Sequence, residues 1–353
     1  MQVKLRVSVV GCGPISERHL KGWESVPETQ VVALCDRHPE HFDHLVERFG
    51  NKATFTDFTE LLKVVDCDIV DIATRPYSHK ELVCKAAEAG KNILCQKPFA
   101  PTLAEAQEMI AVCDNNNVRL MVYENWRWFS WFRMIKHILS TCEIGDVKYA
   151  KLSSYHWLTI PVGDNPPLIY QHPQTYLKDM KRLLVYEAVI HLIDVFRFLF
   201  GDARSVYAFM GKMSEQIAGE DFATIILGFE KMYGTIEVSW CSRESRQERK
   251  CEYMLIEGTK GSIILHHDGR VQIVRQSGKS EFPDYDWKSE TKIKSHLRVH
   301  RHFVDSLVNK LSFETDARDN IKTLEMVLKS YESAQQNKVI ELEGESLLRN
   351  TEK

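Results

Sequence analysis

The chain has 353 residues, more than the roughly 250 to 300 at which a single hydrophobic core usually divides, and this predicts two domains. Its 44% hydrophobic and 27% charged residues are typical of an ordered globular protein, and a formal net charge of -3 favours neither nucleic acid nor an anionic membrane as a partner.

We interpret the basic cluster at 243–250, which contains two glutamates, as a solvated hairpin. No segment reaches the roughly 18 apolar residues of a membrane span, and residues 1–6 lead into a strand instead of a signal peptide, so we expect a cytoplasmic protein.

In about the first 120 residues, short apolar runs alternate with longer amphipathic stretches. This alternation predicts βαβ units with a parallel sheet in an N-terminal domain of residues 1–124. The predicted strands are Val7–Val10, Val31–Cys35, Ile69–Ala73, Asn92–Cys95 and Arg119–Val122. The clearest predicted helices are His79–Ala89 and Thr102–Asn115.

From residue 125 onwards the pattern changes to a few helices and a series of alternating strands separated by turns. The predicted helices are Phe129–Leu139, Leu184–Phe200, His296–Lys310 and Asp316–Gln335. The predicted strands include Val147–Tyr155, Ala223–Phe229, Thr235–Trp240, Tyr253–Glu257 and Ser262–His266. This order predicts an α+β domain at 125–353 with a mostly antiparallel open sheet, and its two closing helices are expected to pack back on the body of the protein.

The nine cysteines predict neither a disulfide framework nor a metal site. Their number is odd, they are scattered through apolar segments, and none forms a Cys-x-x-Cys pair, so we expect reduced core residues. His266 and His267 have no further cysteine or histidine at the spacing of a zinc site, so we expect no structural metal.

A glycine turn directly follows the first predicted strand. The sequence Gly11-Cys12-Gly13-Pro14-Ile15-Ser16 has the Gly-x-Gly-x-x-small spacing of a phosphate-binding turn that opens a helix. The first glycine permits a tight turn, the second lets a pyrophosphate approach the backbone, and the small residue lets helix and strand pack closely. We therefore predict a dinucleotide site here.

The end of the second predicted strand bears on the choice of dinucleotide. Asp36 lies about 20 residues after the glycine turn, where an acidic side chain accepts hydrogen bonds from the adenosine ribose and repels a 2′-phosphate. Arg37 could pair with that phosphate or stack on adenine. NAD is therefore the predicted cofactor, and NADP is the alternative.

Two further segments supply side chains suited to hydride and proton transfer. Lys97, in Gln96-Lys97-Pro98, lies at the carboxyl end of a predicted parallel strand, where ligands bind in such sheets. Pro98 fixes the turn after it, and a cis peptide bond there is one option. Glu187 and His191 are four residues apart on a predicted helix face, which suits an imidazole that accepts a proton from a substrate hydroxyl. The alternatives are a surface lysine and a hydrogen-bonded core histidine.

Six motifs, in order, cover nearly the whole chain: Gly11-x-Gly13, Asp36, Thr74-x-Pro76-x-x-His79, Gln96-Lys97-Pro98, Glu124-Asn125-x-Arg127 and Glu187-x-x-x-His191-x-x-Asp194. Together they resemble the glucose-fructose oxidoreductase and inositol dehydrogenase family (Gfo/Idh/MocA). The resemblance implies a Rossmann domain followed by a mostly antiparallel open sheet, NAD(P)-dependent oxidation or reduction of a sugar or polyol, and homodimers or homotetramers built through that sheet. Segment 178–187 is more similar to aldose-oxidising members, including apiose dehydrogenases, than to inositol dehydrogenases.

The resemblance also implies roles for individual residues. Lys97 would lie near the nicotinamide and the substrate hydroxyl, and His191 would be the acid/base, supported by Glu187. The expected cofactor contacts are Gly11, Gly13, Pro14, Ile15, Asp36, Arg37, Thr74, Pro76, His79, Gln96, Lys97 and Asn125. Two residues depart from the usual family pattern, since Gln96 replaces a glutamate and Glu187 replaces an aspartate.

The predicted mechanism places the substrate over the nicotinamide at the domain interface. Lys97 hydrogen-bonds the reacting hydroxyl while His191 removes its proton, and Lys97 as the base is the alternative. The candidate substrate contacts are Arg127, His156, Trp157 and Tyr176. Two other functions remain open: a noncatalytic dinucleotide-binding regulator, which Gln96 slightly favours, and a reductase of a nonsugar carbonyl or a dihydrodiol dehydrogenase.

Overall fold

The computed structural model describes residues 4–243, 251–344 and 346–347, so the hairpin interpreted at 243–250 falls almost entirely outside the described residues. The chain divides into two compact units. The described part of the first unit is 4–125 with 292–324, and that of the second is 126–243, 251–291, 325–344 and 346–347. The sequence-based bounds, 1–124 and 125–353, stay a prediction.

The first unit contains a six-stranded parallel sheet. Its strands are β1 Leu5–Val10, β2 Thr29–Cys35, β3 Ala53–Phe55, β4 Ile69–Ile72, β5 Asn92–Gln96 and β6 Leu120–Tyr123. Its first five helices are α1 Ser16–Glu24, α2 Asp43–Phe49, α3 Phe58–Val64, α4 His79–Glu88 and α5 Leu103–Asn115. The strand order β3-β2-β1-β4-β5-β6 is that of a dinucleotide-binding Rossmann fold. The predicted parallel sheet is confirmed, and β3 is a short edge strand that the sequence did not indicate.

Local sequence explains how these elements form. Every residue of the central strand β4 is buried, as expected of a parallel strand covered on both faces. Thr102 caps α5, since its hydroxyl oxygen accepts a hydrogen bond from the Glu105 backbone N–H at 3.2 Å. Asp57 caps α3 by accepting from the Glu60 N–H at 2.8 Å.

A helix from the C-terminal part of the chain, α8 Lys292–Val308, also belongs to the first unit. It packs on α1, where the Trp23 ring lies edge-on to His300 at 4.7 Å and to Phe303 at 5.9 Å between ring centroids. A Cβ atom at Gly22 would lie 2.0 Å from Nδ1 of His300, so only glycine allows this approach. The last long helix, α9 Ala317–Gln336, contains the boundary between the two units at 324/325.

The second unit contains a nine-stranded mixed sheet. Its strands are β7 Val147–Tyr155, β8 Ser205–Gly211, β9 Phe222–Gly228, β10 Tyr233–Ser239, β11 Tyr253–Gly258, β12 Gly261–Leu265, β13 Val271–Arg275, β14 Ser280–Glu281 and β15 Ile340–Glu341. The order is β14-β13-β12-β11-β7-β10-β9-β8-β15, and only the β7–β10 pair is parallel among these described strands. The helices α6 Ser130–Ser140 and α7 Ile190–Phe200 also belong to this unit. The predicted fold class, a Rossmann domain followed by a mostly antiparallel sheet, is confirmed.

Seven of the nine cysteines are buried, and Cys142 is exposed. Burial raises the pKa of the Cys113 thiol to about 12 and also raises that of Cys95, so both are held as neutral thiols. No helix among the described residues is long and apolar enough to cross a membrane.

Candidate active site

The turn between β1 and α1 has space for a phosphate group. Gly11 has a φ of +94°, and a Cβ atom there would lie 2.7 Å from Cγ2 of Thr74, so both conformation and space require glycine. A Cβ atom at Gly13 would meet no heavy atom within 4 Å, so open space lies beside this backbone. Ser16 is buried, and its hydroxyl donates to the Gly13 carbonyl at 2.7 Å. The other turn residues are Cys12, Pro14 and Ile15. The turn therefore fits a dinucleotide pyrophosphate.

Asp36, directly after β2, is hydrogen-bonded to this turn. Its Oδ2 accepts from the Cys12 N–H at 2.7 Å, and its Oδ1 accepts from the His38 N–H at 2.9 Å. His41 approaches Oδ2 with Nδ1 at 3.3 Å. A carboxylate offers about four acceptor positions, so Asp36 can hold the turn and still accept from a ribose hydroxyl. The Arg37 side chain is exposed.

The loop after β4 contains the predicted cofactor contacts Thr74, Pro76 and His79. Thr74 Oγ1 accepts from the Ser78 hydroxyl at 2.8 Å, and Pro76 begins a short 3-10 helix, Pro76–Ser78. His79 is buried, with its two ring nitrogens 3.0 Å from the Phe99 carbonyl oxygen and 3.1 Å from that of Thr74. It thereby joins the loop after β4 to the loop after β5.

Lys97 follows β5, and its backbone is held by the residue before it. The Lys97 N–H donates to Oε1 of Gln96 at 2.7 Å, and Gln96 is buried. The Lys97 side chain is half-buried, and the Lys97–Pro98 peptide bond is cis. At the end of β6, Asn125 is also buried and donates to the Ser295 hydroxyl at 2.7 Å.

A cluster of buried polar side chains contacts Gln96, and the sequence did not predict it. Nδ1 of His19 is 2.9 Å from both carboxylate oxygens of Asp71, and the Trp23 indole N–H donates to Asp71 at 2.6 Å. Nε2 of His19 is 2.9 Å from Nε2 of Gln96. The signal available in the sequence was a charged residue inside an apolar strand, Asp71, together with a histidine in the first helix after the glycine turn.

The same cluster supplies a possible metal-ligand set among the described residues. Potential ligand atoms of His19, Asp71 and His300 all lie within 4.8 Å of one another, and all three residues are buried. Its members are distant in the chain, so the spacing of histidines and cysteines in the sequence does not indicate this set. The hydrogen bonds described above already use the Asp71 carboxylate and both ring nitrogens of His19, so we interpret these residues as a hydrogen-bonded cluster.

In the second unit, the helix that contains Glu187 and His191 begins with a π-helical turn. This turn covers Val185–Val189 and is followed by α7, so Glu187 lies in the π turn and His191 in α7. An α-helical spacing of four therefore does not by itself place the two side chains on one face, and the support of His191 by Glu187 stays a prediction. Both side chains are buried, and π turns are frequent at functional sites.

The His191 ring is stacked on an aromatic side chain of the same unit. Its centroid lies 4.9 Å from that of Trp126, and the two planes are inclined by 2°. The π turn before it is held by Glu220, which accepts from the Val185 N–H at 2.9 Å and from the Tyr331 hydroxyl at 2.5 Å. These contacts fix where the imidazole lies.

Arg127 forms a buried ion pair with Asp194. Its Nε and Nη2 donate to the two carboxylate oxygens at 2.8 and 2.5 Å, and the two side chains are 5% and 0% exposed. The pair joins the short 3-10 helix Trp126–Trp128 to α7. This geometry gives Arg127 a structural role, and its predicted contact with substrate stays a prediction.

The remaining predicted substrate contacts lie in the irregular segments after β7. His156 is exposed, with Nε2 3.3 Å from the Ser154 hydroxyl, and Trp157 is half-buried. Tyr176 packs against a cluster of buried apolar residues: Ile169, Leu177, Leu183 and Ile217. Their contact with a substrate also stays a prediction.

Comparison with known proteins gives matches over most of the chain. Residues 5–124 match the model of an oxidoreductase family with an NAD-binding Rossmann fold, and residues 132–264 match the GFO/IDH/MocA C-terminal domain. A D-apiose dehydrogenase of Paraburkholderia graminis is 33% identical, and the match covers 97% of this chain and 90% of the relative's chain. A D-apiose dehydrogenase of Rhizobium rhizogenes is 28% identical, and the match covers 96% of this chain and 98% of the relative's chain.

The structural comparison agrees with these matches. The crystal structure of an oxidoreductase from Agrobacterium radiobacter in complex with NAD+, L-tartaric acid and magnesium has a TM-score of 0.88 to this chain. It is 28% identical in sequence, and the similarity covers 96% of this chain and 98% of that one.

Proposed function

The chain belongs to the Gfo/Idh/MocA family of NAD-dependent oxidoreductases, and we propose that it oxidises a hydroxyl of a sugar, specifically an aldose of the apiose type, to the lactone. In this reaction the carbinol C–H bond breaks and its hydride passes to NAD, while the hydroxyl loses a proton to a base. The products are a lactone, NADH and a proton. The observation that supports this substrate class is the whole-length similarity to D-apiose dehydrogenases.

The cofactor is NAD, with NADP as the less favoured alternative. The open space beside Gly13 would receive the pyrophosphate, and Asp36 would accept from the adenosine ribose. The loop with Thr74, Pro76 and His79 lies after β4, at the same carboxyl edge of the sheet as Lys97. NAD supplies the hydride acceptor. The Agrobacterium relative, which binds NAD+, supports the choice over NADP.

We propose that this chain contributes two groups that handle the substrate proton. The half-buried Lys97 ammonium would hydrogen-bond the reacting oxygen and favour its developing negative charge. His191 would accept the proton, and its stacked position on Trp126 would keep the ring oriented. The alternative is that Lys97 itself is the base.

The test measures the absorbance of the reduced nicotinamide with a panel of aldoses, polyols and sugar acids. We expect turnover on an aldose, and a loss of about 100- to 10,000-fold in kcat for His191→Ala, as for other general bases. Lys97→Met should also lose kcat. Exposed residues provide matched controls, His137→Ala in α6 and Lys63→Met in α3, which should retain wild-type rates.

Three results would change this proposal. Near wild-type turnover by His191→Ala would remove the histidine as the base. Activity on polyols alone would replace the aldose. Tight NAD binding without turnover on any member of the panel would favour the noncatalytic regulator.

We further propose that a second copy of the chain covers one face of the nine-stranded sheet. Strands β8, β9 and β10 bury alternate side chains on one face and leave apolar side chains exposed on the other. These exposed residues include Phe209, Phe222, Ile226 and Tyr233. A homodimer or homotetramer would bury this face. A cytoplasmic location likewise stays a prediction.

A further inference from the structure

A chain of buried hydrogen bonds connects Asp71, in the centre of the parallel sheet, to the backbone of Lys97. Asp71 lies on β4, His19 on α1 and Gln96 at the end of β5. Asp71 and His19 are fully buried and Gln96 is 6% exposed. Three distances define the path: 2.9 Å from Asp71 to His19, 2.9 Å from His19 to Gln96, and 2.7 Å from Gln96 to the Lys97 nitrogen.

The direction of every hydrogen bond in this path follows from one group. A backbone N–H can only donate, so the atom of Gln96 that faces Lys97 is its carbonyl oxygen. The Gln96 amide nitrogen therefore donates to Nε2 of His19, which must be unprotonated. The His19 proton is then on Nδ1 and is donated to Asp71. Asp71 also accepts from Trp23, so it acts purely as an acceptor.

We propose that Gln96 is a positioning residue for Lys97, and that a glutamine suits this place because the histidine behind it is neutral. The inference rests on the proposed role of Lys97 in the reaction. Gln96 fixes the Lys97 backbone with one end of its amide and is itself fixed by His19 at the other. No proton has to be gained or lost to maintain these contacts.

A glutamate at position 96 would require a different protonation state. When this glutamate is ionised, both of its oxygens are acceptors, so Nε2 of His19 would need a proton and the ring would be an imidazolium between two carboxylates. The total charge would be unchanged, because the new negative charge on residue 96 would be balanced by the positive charge on His19. The Gln96 form therefore keeps the net charge near Lys97 and removes a titrating group.

The titratable groups around His19 do not compete for this proton at neutral pH. Tyr123, on β6, stacks on the His19 ring at 4.0 Å, and burial raises the pKa of its hydroxyl. His300, on α8, is edge-on at 5.8 Å, and burial lowers its pKa to about 4. Both are therefore uncharged, and the carboxylate of Asp71 on β4 is a charged group in direct contact with His19.

The first test measures the protonation of the His19 ring directly, without any assay of activity. In the full-length protein labelled with ¹⁵N, the His19 signals are assigned by their loss in His19→Gln. We expect Nδ1 protonated and Nε2 unprotonated at neutral pH, and both nitrogens protonated in Gln96→Glu. A wild-type His19 that is protonated on both nitrogens, or on Nε2 alone, would overturn the proposal.

The second test is the pH profile of kcat. Gln96→Glu should retain turnover at low pH, where both nitrogens of the His19 ring carry protons, and lose it as the pH rises, because loss of the Nε2 proton sets a lone pair against a carboxylate oxygen. Wild type should lack this decline. Gln96→Ala should lose about tenfold in kcat at every pH, since the lysine backbone loses its acceptor. Gln30→Glu, which adds the same charge at an exposed position on β2, should behave as wild type.

The two tests distinguish this inference from the proposed function. If Lys97→Met retains turnover while His19 has the expected tautomer, the role of Lys97 is wrong and the hydrogen-bonded path remains. If Lys97→Met is inactive but Gln96→Glu has the wild-type pH profile, Gln96 does not position the lysine and the inference is wrong. Should Gln96→Glu fail to fold, the wild-type tautomer still decides whether the path has the proposed direction.

Discussion

Replacement of Asp36 by alanine tests the cofactor site most directly. In the structure its carboxylate accepts from the Cys12 and His38 backbone N–H groups, and its side chain is 12% exposed. In the proposed complex the same carboxylate accepts from a ribose hydroxyl. Alanine therefore removes a contact to the cofactor and, at the same time, two contacts that hold the glycine turn.

The magnitude follows from the charge on the acceptor. A hydrogen bond to a charged group contributes about 1.5 to 3 kcal/mol, and about 1.4 kcal/mol corresponds to a tenfold change in the dissociation constant. We therefore expect the Kd for NAD to rise by about 10- to 100-fold in Asp36→Ala. The Kd for NADP should fall or stay level, because the negative charge that repels a 2′-phosphate is removed.

The assay is titration calorimetry with NAD and with NADP on the wild type, Asp36→Ala and the charge-matched control Asp43→Ala, whose side chain is exposed at the start of α2. The control should bind both nucleotides as the wild type does. An equal rise in Kd for NAD and NADP would show that Asp36 acts only through the shape of the turn. An unchanged Kd for NAD would refute its contact with the ribose.

Three further predictions concern stability and assembly. Burial lowers the pKa of His300 to about 4, so between pH 6.5 and 4 the unfolded chain binds more protons than the native one and stability falls as pH falls. Urea unfolding should show a loss of up to about 3 kcal/mol over this range, and His300→Phe should reduce it. Asp194→Asn removes the buried carboxylate charge that pairs with Arg127 and should destabilise by about 3 to 5 kcal/mol. Asp202→Asn, at an ion pair whose carboxylate is 39% exposed, should lower the melting temperature less. Phe209→Asp should reduce the molar mass measured by light scattering, whereas the exposed control Val64→Asp should not.

The features predictable from the sequence were those set by neighbouring residues. The alternation of apolar runs and amphipathic stretches is a local pattern, and the Rossmann sheet that it predicts is confirmed. The glycine turn was likewise predictable, because a φ of +94° at Gly11 is a property of one residue in its local geometry. Local patterns also gave Thr102 as the start of a helix.

Features that depend on distant residues were not predictable in this way. The partners His19 and Asp71 are 52 positions apart, and Arg127 and Asp194 are 67 apart. A sequence shows the type of each residue but not which donor meets which acceptor. The π turn at Val185–Val189 was missed for a related reason, since contacts such as that to Tyr331 come from another helix.

The motif Glu124-Asn125-x-Arg127 shows why resemblance and geometry have to be combined. The sequence assigned Asn125 to the cofactor and Arg127 to the substrate. In the structure Asn125 is bonded to Ser295 within the first unit, and Arg127 is paired with Asp194 within the second. The division between the units falls at 125/126, so two side chains of one short motif are each anchored in their own unit. These contacts within each unit are sufficient to explain an asparagine at position 125 and an arginine at position 127. A role in ligand binding would be shown only by a mutation that specifically weakens the binding of the cofactor or of the substrate.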